Sequence, residues 1–304
     1  MKPNAFNQRV ALVTGAGKGL GRAYALWLAR HGATVVVNNR KRPGVPSSAQ
    51  AVVDEILAAG GKAFVDEHSV EDEASARAMI DGAIARAGQL DILVCNAAID
   101  EHFTPFRDIS LDTLREIMNV NLWGTLYPVH AAWKHMMARG YGRIVLTSSQ
   151  AGLFGQSASV GYSTSKAAMI GMARALARDA HDAGDLDIRI NVIAPAAFTP
   201  MSSKTLDPKW AEFLSPFKVA PVVGWLASED CRRSGMIFNV GGGRMRRVKV
   251  LEGKPLDIPD EDVSALWPAL DDMSGALEAS SSFGSGEVLM PELFAADPDM
   301  VGKY

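Results

Sequence analysis

Asn121, Ser149, Tyr162 and Lys166 carry the groups that one proton-handling site would need. Tyr162 and Lys166 fall in Y-S-T-S-K, four residues apart, so on a helix they share a face one turn from each other. A phenol with an ordinary pKa near ~10 is a poor acid–base catalyst at neutral pH. An ammonium held beside it favours the phenolate and lowers that pKa. The pairing alone occurs in many helices. It gains meaning from lying downstream of a phosphate-binding loop in an alternating β/α chain.

That loop is T-G-A-G-K-G-L-G, residues 14–21, between an apolar run and a helical pattern. Gly15 permits a tight turn and Gly19 lets backbone approach a pyrophosphate, whose charge the following helix N-terminus favours. Gly21 allows close packing of helix on strand. Gly17, Lys18 and Leu20 complete the loop in a G-x-x-x-G-x-G spacing. A dinucleotide site is the reading. Sites that prefer NAD end their second strand with an acid for the ribose 2′-hydroxyl. Here Asn39 stands in that place, in V-V-V-N-N-R-K-R, followed by Arg40, Lys41 and Arg42. Arg40 can bind the extra phosphate of NADP in a charge-assisted fork, and Lys18 can reach it from the other side. NADP(H) is favoured, with NAD(H) possible.

The elements that must position these groups follow from hydrophobic pattern. Residues 10–14, 34–38, 62–65, 92–95, 143–147, 188–193 and 236–240 read as seven strands without polar alternation. Helical patterns separate them, including a long stretch over 109–138 that Pro128 would adjust. This predicts an α/β fold, a doubly wound, Rossmann-type parallel sheet of about seven strands with helices on both faces. It occupies residues 1–243. Residues 244–304 are expected to form a partly irregular C-terminal extension, with a basic start (R-M-R-R-V-K), one helix over 258–270 and partial disorder after Ser280.

The bulk properties agree. Of 304 residues 48% are hydrophobic and the net charge is −3, giving no general attraction for nucleic acid or an anionic membrane. Cys95 and Cys231 have neither metal-ligand nor disulfide spacing, so no metal site and a reducing cytoplasm are expected. The N-terminal M-K-P-N-A-F-N-Q-R lacks an apolar leader core, and no apolar run is long enough to span a membrane.

Over residues 7–243 the chain resembles the short-chain dehydrogenase/reductases. It carries T-G-x-x-x-G-x-G at residues 14–21 and C-N-A-A at 95–98, where the family has N-N-A-G. It also has V-N-L-W-G around Asn121, S-S-Q-A-G around Ser149, and Y-x-x-x-K at Tyr162 and Lys166, with 162 − 149 = 13 residues between serine and tyrosine. The resemblance implies that Tyr162 exchanges the proton of the reacting oxygen and that Ser149 hydrogen-bonds that oxygen. Lys166 would lower the tyrosine pKa and bind the nicotinamide ribose, while Asn121 would hold a water linking Lys166 to solvent. Ser148 is the alternative serine, but the family register selects Ser149. The resemblance also places Asn96, Ala97 and Ala98 against the cofactor. Pro195, Ala196 and Thr199, in N-V-I-A-P-A-A-F-T, would contact the nicotinamide amide. Ala98 and Ala196 replace family glycines. His68 and Ser69, in D-E-H-S-V, fall where the family places an Asp over the adenine, with Asp66 two residues early. A narrower likeness, in A-A-W-K-H-M and I-P-D-E-D-V-S-A-L-W, is to the (3R)-hydroxyacyl-CoA dehydrogenase part of peroxisomal multifunctional enzymes and to 17β-hydroxysteroid dehydrogenases.

Loops after the strands would wall the substrate pocket: residues 99–106, 150–156 and 198–217, the last with Met201, Trp210, Phe213 and Phe217 as a lid. Such a lining suits a hydrophobic substrate, steroid-like, aromatic or an acyl thioester. His102 reads as an exposed loop residue. The expected activity is hydride transfer between NADP(H) and a secondary alcohol or ketone. The alternatives are an NAD-dependent 3-hydroxyacyl-CoA dehydrogenase and, in another class, a non-catalytic nucleotide sensor or scaffold. The resemblance implies a homodimer or homotetramer.

Overall fold

In the computed structural model, β-branched and aliphatic runs form strands whose residues are buried on both faces, as in β1 (Val10–Val13) and β4 (Ile92–Cys95). With β2 (Thr34–Asn38), β3 (Lys62–Asp66), β5 (Tyr141–Thr147), β6 (Asp187–Ala196), β7 (Ile237–Gly241) and β8 (Arg244–Val248) they make one sheet, ordered β3-β2-β1-β4-β5-β6-β7-β8. The structure describes residues 5–41, 43–259 and 263–278, so Arg42 and the tail after Ser280 lie outside it. The first seven strands are parallel, in register Val13↔Val37 and Val13↔Val94 about the central strand. The eighth returns through Gly242 and Gly243, with φ of 56° and 74°. A two-residue link of that geometry joins antiparallel neighbours.

The sheet therefore has eight strands rather than the seven counted from sequence pattern. Arg244, Met245, Arg246 and Arg247 are all exposed in β8, so no period-two apolar signal marks it. Charged side chains blunt such an edge.

Helices α1 (Gly19–Arg30) and α2 (Ser48–Ala58) pack on one face of the sheet with α8 (Ala220–Ala227), around Tyr24, Leu28, Val53 and Val223. Helices α3 (Glu73–Ala87), α4 (Leu111–Met118), α5 (Gly124–Arg139) and α7 (Val160–Asp182) cover the other, and α6 (Gln150–Phe154) is a short turn against α7. The stretch predicted as one helix over 109–138 is two, joined by a π turn at Asn119–Trp123. The adjustment falls at Asn121, not at Pro128. Pro128 lacks the N–H that would have reached Gly124, the residue at which the ladder already changes register.

By internal packing the chain divides into Met1–Arg247 and Val248–Tyr304. Within the second unit, described residues form an antiparallel bridge between Glu252 and Leu277, a 3₁₀ turn at Val263–Leu266 and one helical turn at Trp267–Leu270.

From β1 the chain builds outward to β3, and from β4 outward to β8. The loops leaving β1 and β4 thus diverge and open a crevice at the C-terminal end of the sheet. At the opposite end the buried Asp91 carboxylate takes the Val10 N–H at 2.8 Å and the Arg9 guanidinium at 3.0 Å, tying the starts of the same two strands together.

Candidate active site

The crevice is a continuous cleft of about 880 Å³ running from Asn39 and His68 past the glycine loop to Tyr162 and Lys166. Gly15, at φ 64°, turns the chain there. A Cβ on it would stand 2.8 Å from the Ala97 Cα, so the loops after β1 and β4 close on each other through that glycine. Asn96 completes the joint, its side-chain amide donating to the carbonyls of Thr14 (3.1 Å) and Gly15 (3.3 Å). Helix α1 begins at the loop without a side-chain cap, and Lys18 stands at its N-cap. Its first N–H groups are therefore left for an anion, as a pyrophosphate site requires.

Gly15, Lys18, Gly19, Leu20, Asn39, Arg40, His68, Ser69, Asn96, Ala97, Ala98, Ser149, Tyr162, Lys166, Pro195, Ala196 and Thr199 all line this cleft. Gly17, Gly21 and Asn121 stand behind its wall. A Cβ on Gly17 would meet Ser48 Oγ at 2.2 Å, and one on Gly21 the Gly15 carbonyl at 2.4 Å.

At the adenine end, Asp66 lies behind His68. It accepts from His68 Nδ1 at 2.8 Å, from the His68 N–H at 3.1 Å and from Asn38 Nδ2 at 2.6 Å. The imidazole is thereby oriented by the acid two residues before it. Arg40 is paired with Glu71, whose carboxylate also lines the cleft and accepts from Ser69 Oγ at 3.1 Å.

At the far end, Tyr162 and Ser149 line the cleft together, and the Ser149 hydroxyl, which accepts the Ala151 N–H at 3.2 Å, is near enough to act on the phenol's pKa. Ser148 instead donates to the Lys166 carbonyl at 2.7 Å. Lys166 is 2% exposed; its Nζ donates to the Thr147 carbonyl at 2.8 Å and stands 5.8 Å from the centre of the Tyr162 ring. Burial lowers its pKa to about 8, against a weak opposing effect of the Cys95 thiol, itself pushed up to about 12 by burial.

The tyrosine departs from expectation. Burial raises the Tyr162 pKa, the Ser149 hydroxyl works against that rise, and the charges of Asp100 and Glu101 add to it. Among the chain's own groups the lysine does not reverse this shift, because its ammonium faces the Thr147 carbonyl and is disfavoured by the same dry surroundings.

Asn121 is fully buried and directs its amide to protein: Oδ1 accepts the Ile99 N–H at 2.8 Å, and Nδ2 donates to the Ile99 carbonyl at 2.9 Å and to Ser165 Oγ at 3.0 Å. The sequence motifs passed over Glu101, which is buried and accepts the Gly161 and Tyr162 N–H groups. No motif announces it, since an acid in a strand-to-helix loop usually faces water. His102 is also less isolated than its loop suggested, lying 2.7 Å from Asp100 and 3.0 Å from Lys204 Nζ.

The substrate end is walled by Ile99, Phe103, Gln156, Met201, Leu206 and Leu214. Of the expected lid residues only Met201 lines it. Phe213 packs on the Gly242 turn, Phe217 lies under the Arg22 guanidinium, and Trp210 meets Phe213 edge-on. Those rings make these contacts while remaining about half exposed, and none of them lines the cleft.

A sequence profile of the short chain dehydrogenase family matches residues 9–210. A short-chain type dehydrogenase/reductase of Mycobacterium tuberculosis is 38% identical over 277 residues, 88% of this chain and 96% of that protein. Mouse peroxisomal multifunctional enzyme type 2 is 36% identical over 90% of this chain, which spans only 38% of the mouse protein. A crystal structure of a short chain dehydrogenase from Mycobacterium avium superposes with TM-score 0.77 at 35% identity, covering 89% of this chain and 96% of that one.

Proposed function

The chain belongs to the short-chain dehydrogenase/reductase family, oxidoreductases acting on CH–OH and C=O groups, and from that premise we propose that it interconverts a hydrophobic ketone and secondary alcohol using NADP(H). One observation carries the reading: Tyr162 and Ser149 share a single cleft with Lys18 and Arg40. When bound, the nicotinamide cofactor supplies the hydride chemistry. The glycine loop and the start of α1 would hold its pyrophosphate, His68 and Ser69 its adenine, Lys166 its nicotinamide ribose, and residues 195–199 its amide.

The protein's own part is proton transfer and positioning. Tyr162 gives its proton to the carbonyl oxygen in reduction and takes the hydroxyl proton in oxidation, with Ser149 hydrogen-bonding that oxygen as its charge changes. A phenol whose pKa is raised stays protonated at neutral pH. Reduction is thus supported near neutrality, and oxidation improves toward alkaline pH. The apolar wall of Ile99, Phe103, Met201 and Leu206 suits a steroid-like, aromatic or 3-hydroxyacyl thioester substrate.

A second reading, an NAD-dependent 3-hydroxyacyl-CoA dehydrogenase, is favoured by Glu71, whose carboxylate already pairs with Arg40 where the extra phosphate of NADP would sit. Exposed Leu111, Trp123 and Phe154, on or beside the helices flanking the site, support association into a homodimer or homotetramer. Among the described residues no helix is long and apolar enough to cross a membrane, and we read the location as cytoplasmic.

The test screens diverse ketones and alcohols with NADPH, NADH and their oxidised forms, followed by nicotinamide absorbance, for wild type and Tyr162→Phe. The reading requires turnover by wild type and a loss of roughly 10²–10⁴-fold in the variant, with cofactor affinity kept within about twofold. No turnover across the panel, or an active Tyr162→Phe, sinks it and leaves the nucleotide sensor or scaffold.

A further inference from the structure

Helix α7 carries Tyr162 in its first turn, yet Ser159, at its N-cap, makes no side-chain capping bond. The capping acceptor comes from another element. Glu101, in the loop between β4 and α4, is 3% exposed. Its Oε1 accepts the Gly161 N–H at 2.7 Å and its Oε2 the Tyr162 N–H at 2.9 Å. Gly161 packs closely there: a Cβ on it would stand 2.8 Å from the end of Leu114, 3.2 Å from Ile117 and, in ordinary contact, 3.5 Å from Glu101 Oε1. A buried carboxylate is tolerated there because helix N-terminal donors and the helix dipole solvate its charge. The same loop supplies Ile99, Asp100 and Phe103 to the substrate wall.

We propose that Glu101 is a positioning residue of the reaction, docking the substrate-wall loop onto the start of α7 so that the Tyr162 phenol meets Ser149, and placing a fixed negative charge beside the proton-transfer group. The inference rests on Tyr162 being that group. Around the phenol the chain presents Ser149 as a polar neighbour, Asp100 and Glu101 as negative neighbours, and Lys166 beyond the ring with Cys95 next to it. Asp100 is in turn bonded to His102, on which Lys204 sits. Both acids raise the phenol's pKa, so the proton donor is held in its acid form partly by Glu101. Geometry and charge come from one side chain, and two substitutions weight them differently. Glu101→Gln removes the charge and the second acceptor but keeps one oxygen, placed like Oε1, which already receives the Gly161 N–H at 2.7 Å and the Tyr162 N–H at 3.2 Å. Glu101→Asp keeps the charge and shortens the reach.

Two readouts are taken on the full chain. The first is the tyrosinate absorbance titration, as the difference between each protein and its Tyr162→Phe counterpart, which needs no substrate. The second is kcat against pH for alcohol oxidation. In Glu101→Gln the phenol should titrate at lower pH than in wild type, and the rising limb of kcat should move with it. In Glu101→Asp the titration should stay near wild type while kcat falls on the order of tenfold or more, the loss expected from a misplaced group. An unmoved phenol in a folded Glu101→Gln, or full kcat in Glu101→Asp, overturns the proposal. Should Glu101→Gln fail to fold, Glu101→Asp still decides by its kcat. A moved titration in a protein that turns over no substrate would leave this inference standing and sink the functional reading instead.

Discussion

Lys166→Met should make the protein more stable at neutral pH while abolishing its proposed chemistry. Lys166 is buried at 2% exposure, and burial takes its pKa from 10.5 to about 8. Below about pH 8 the side chain is protonated in both folded and unfolded chains, and folding carries the cost of burying that charge. At ~1.4 kcal/mol per pH unit, the drop corresponds to about 3 kcal/mol. Removing the hydrogen bond to the Thr147 carbonyl gives back about 1 kcal/mol, so the net gain is about 2 kcal/mol. Tm should rise by roughly 3 °C. Between pH 8 and 10.5 only the unfolded wild-type chain holds the proton, so wild-type stability climbs relative to the variant and the advantage fades. Cys95, pushed up to about 12, works oppositely above pH 9 but is common to both proteins and cancels to first order in their difference. Urea unfolding of both proteins at pH 6 to 10.5, without added cofactor, reads the comparison. A variant less stable than wild type at pH 7, or a difference that does not change with pH, would refute the reasoning.

Glu71→Gln, by releasing Arg40, should tighten NADP(H) relative to NAD(H) by roughly two- to fivefold in titration calorimetry, the scale of one partly exposed charge pair. Arg40→Asp should invert the preference; unchanged NADP(H) affinity in that variant would end the assignment of the 2′-phosphate site. Gly224→Ala should destabilise by ~1–3 kcal/mol. Its Cβ would stand 1.9 Å from the Trp27 ring, which is partly buried and held by stacking on His31 and an edge contact to Phe6, so the ring must shift against those contacts. A chemical-denaturation midpoint equal to wild type would show that the ring moves after all.

How much of this was legible in the sequence varies with how local each signal is. The parallel sheet was, because strands such as β1 and β4 are buried on both faces and so read as unbroken apolar runs. The fold class, the family and the order of the motifs followed from such runs and from glycine spacing. The π turn was not, since its cause is tertiary: Asn121 faces Ile99 and Ser165, on two other elements. The eighth strand hid behind its arginines. Lid aromatics misled, because Phe213 and Phe217 are large and apolar whether they face a pocket or pin a loop. Acidity was the least legible property. Spacing put Lys166 beside Tyr162, but only the depth of burial and the arrival of Asp100 and Glu101 decide which way the phenol shifts.

The loop after β4 brings these threads together. Asn96 fastens its start to the phosphate loop, Asn121 fastens Ile99 to the π turn, and Glu101 fastens its next turn to the helix bearing Tyr162 and Lys166. Each tie uses a polar group that burial would make costly if left unpaired, so each resists release of the loop. The cofactor end and the proton-transfer end of the cleft are thus positioned by one short segment. Changes within residues 96–101 should for that reason disturb dinucleotide affinity and turnover jointly, whereas changes in the lid around Phe213 should alter turnover and substrate range while leaving dinucleotide affinity in place.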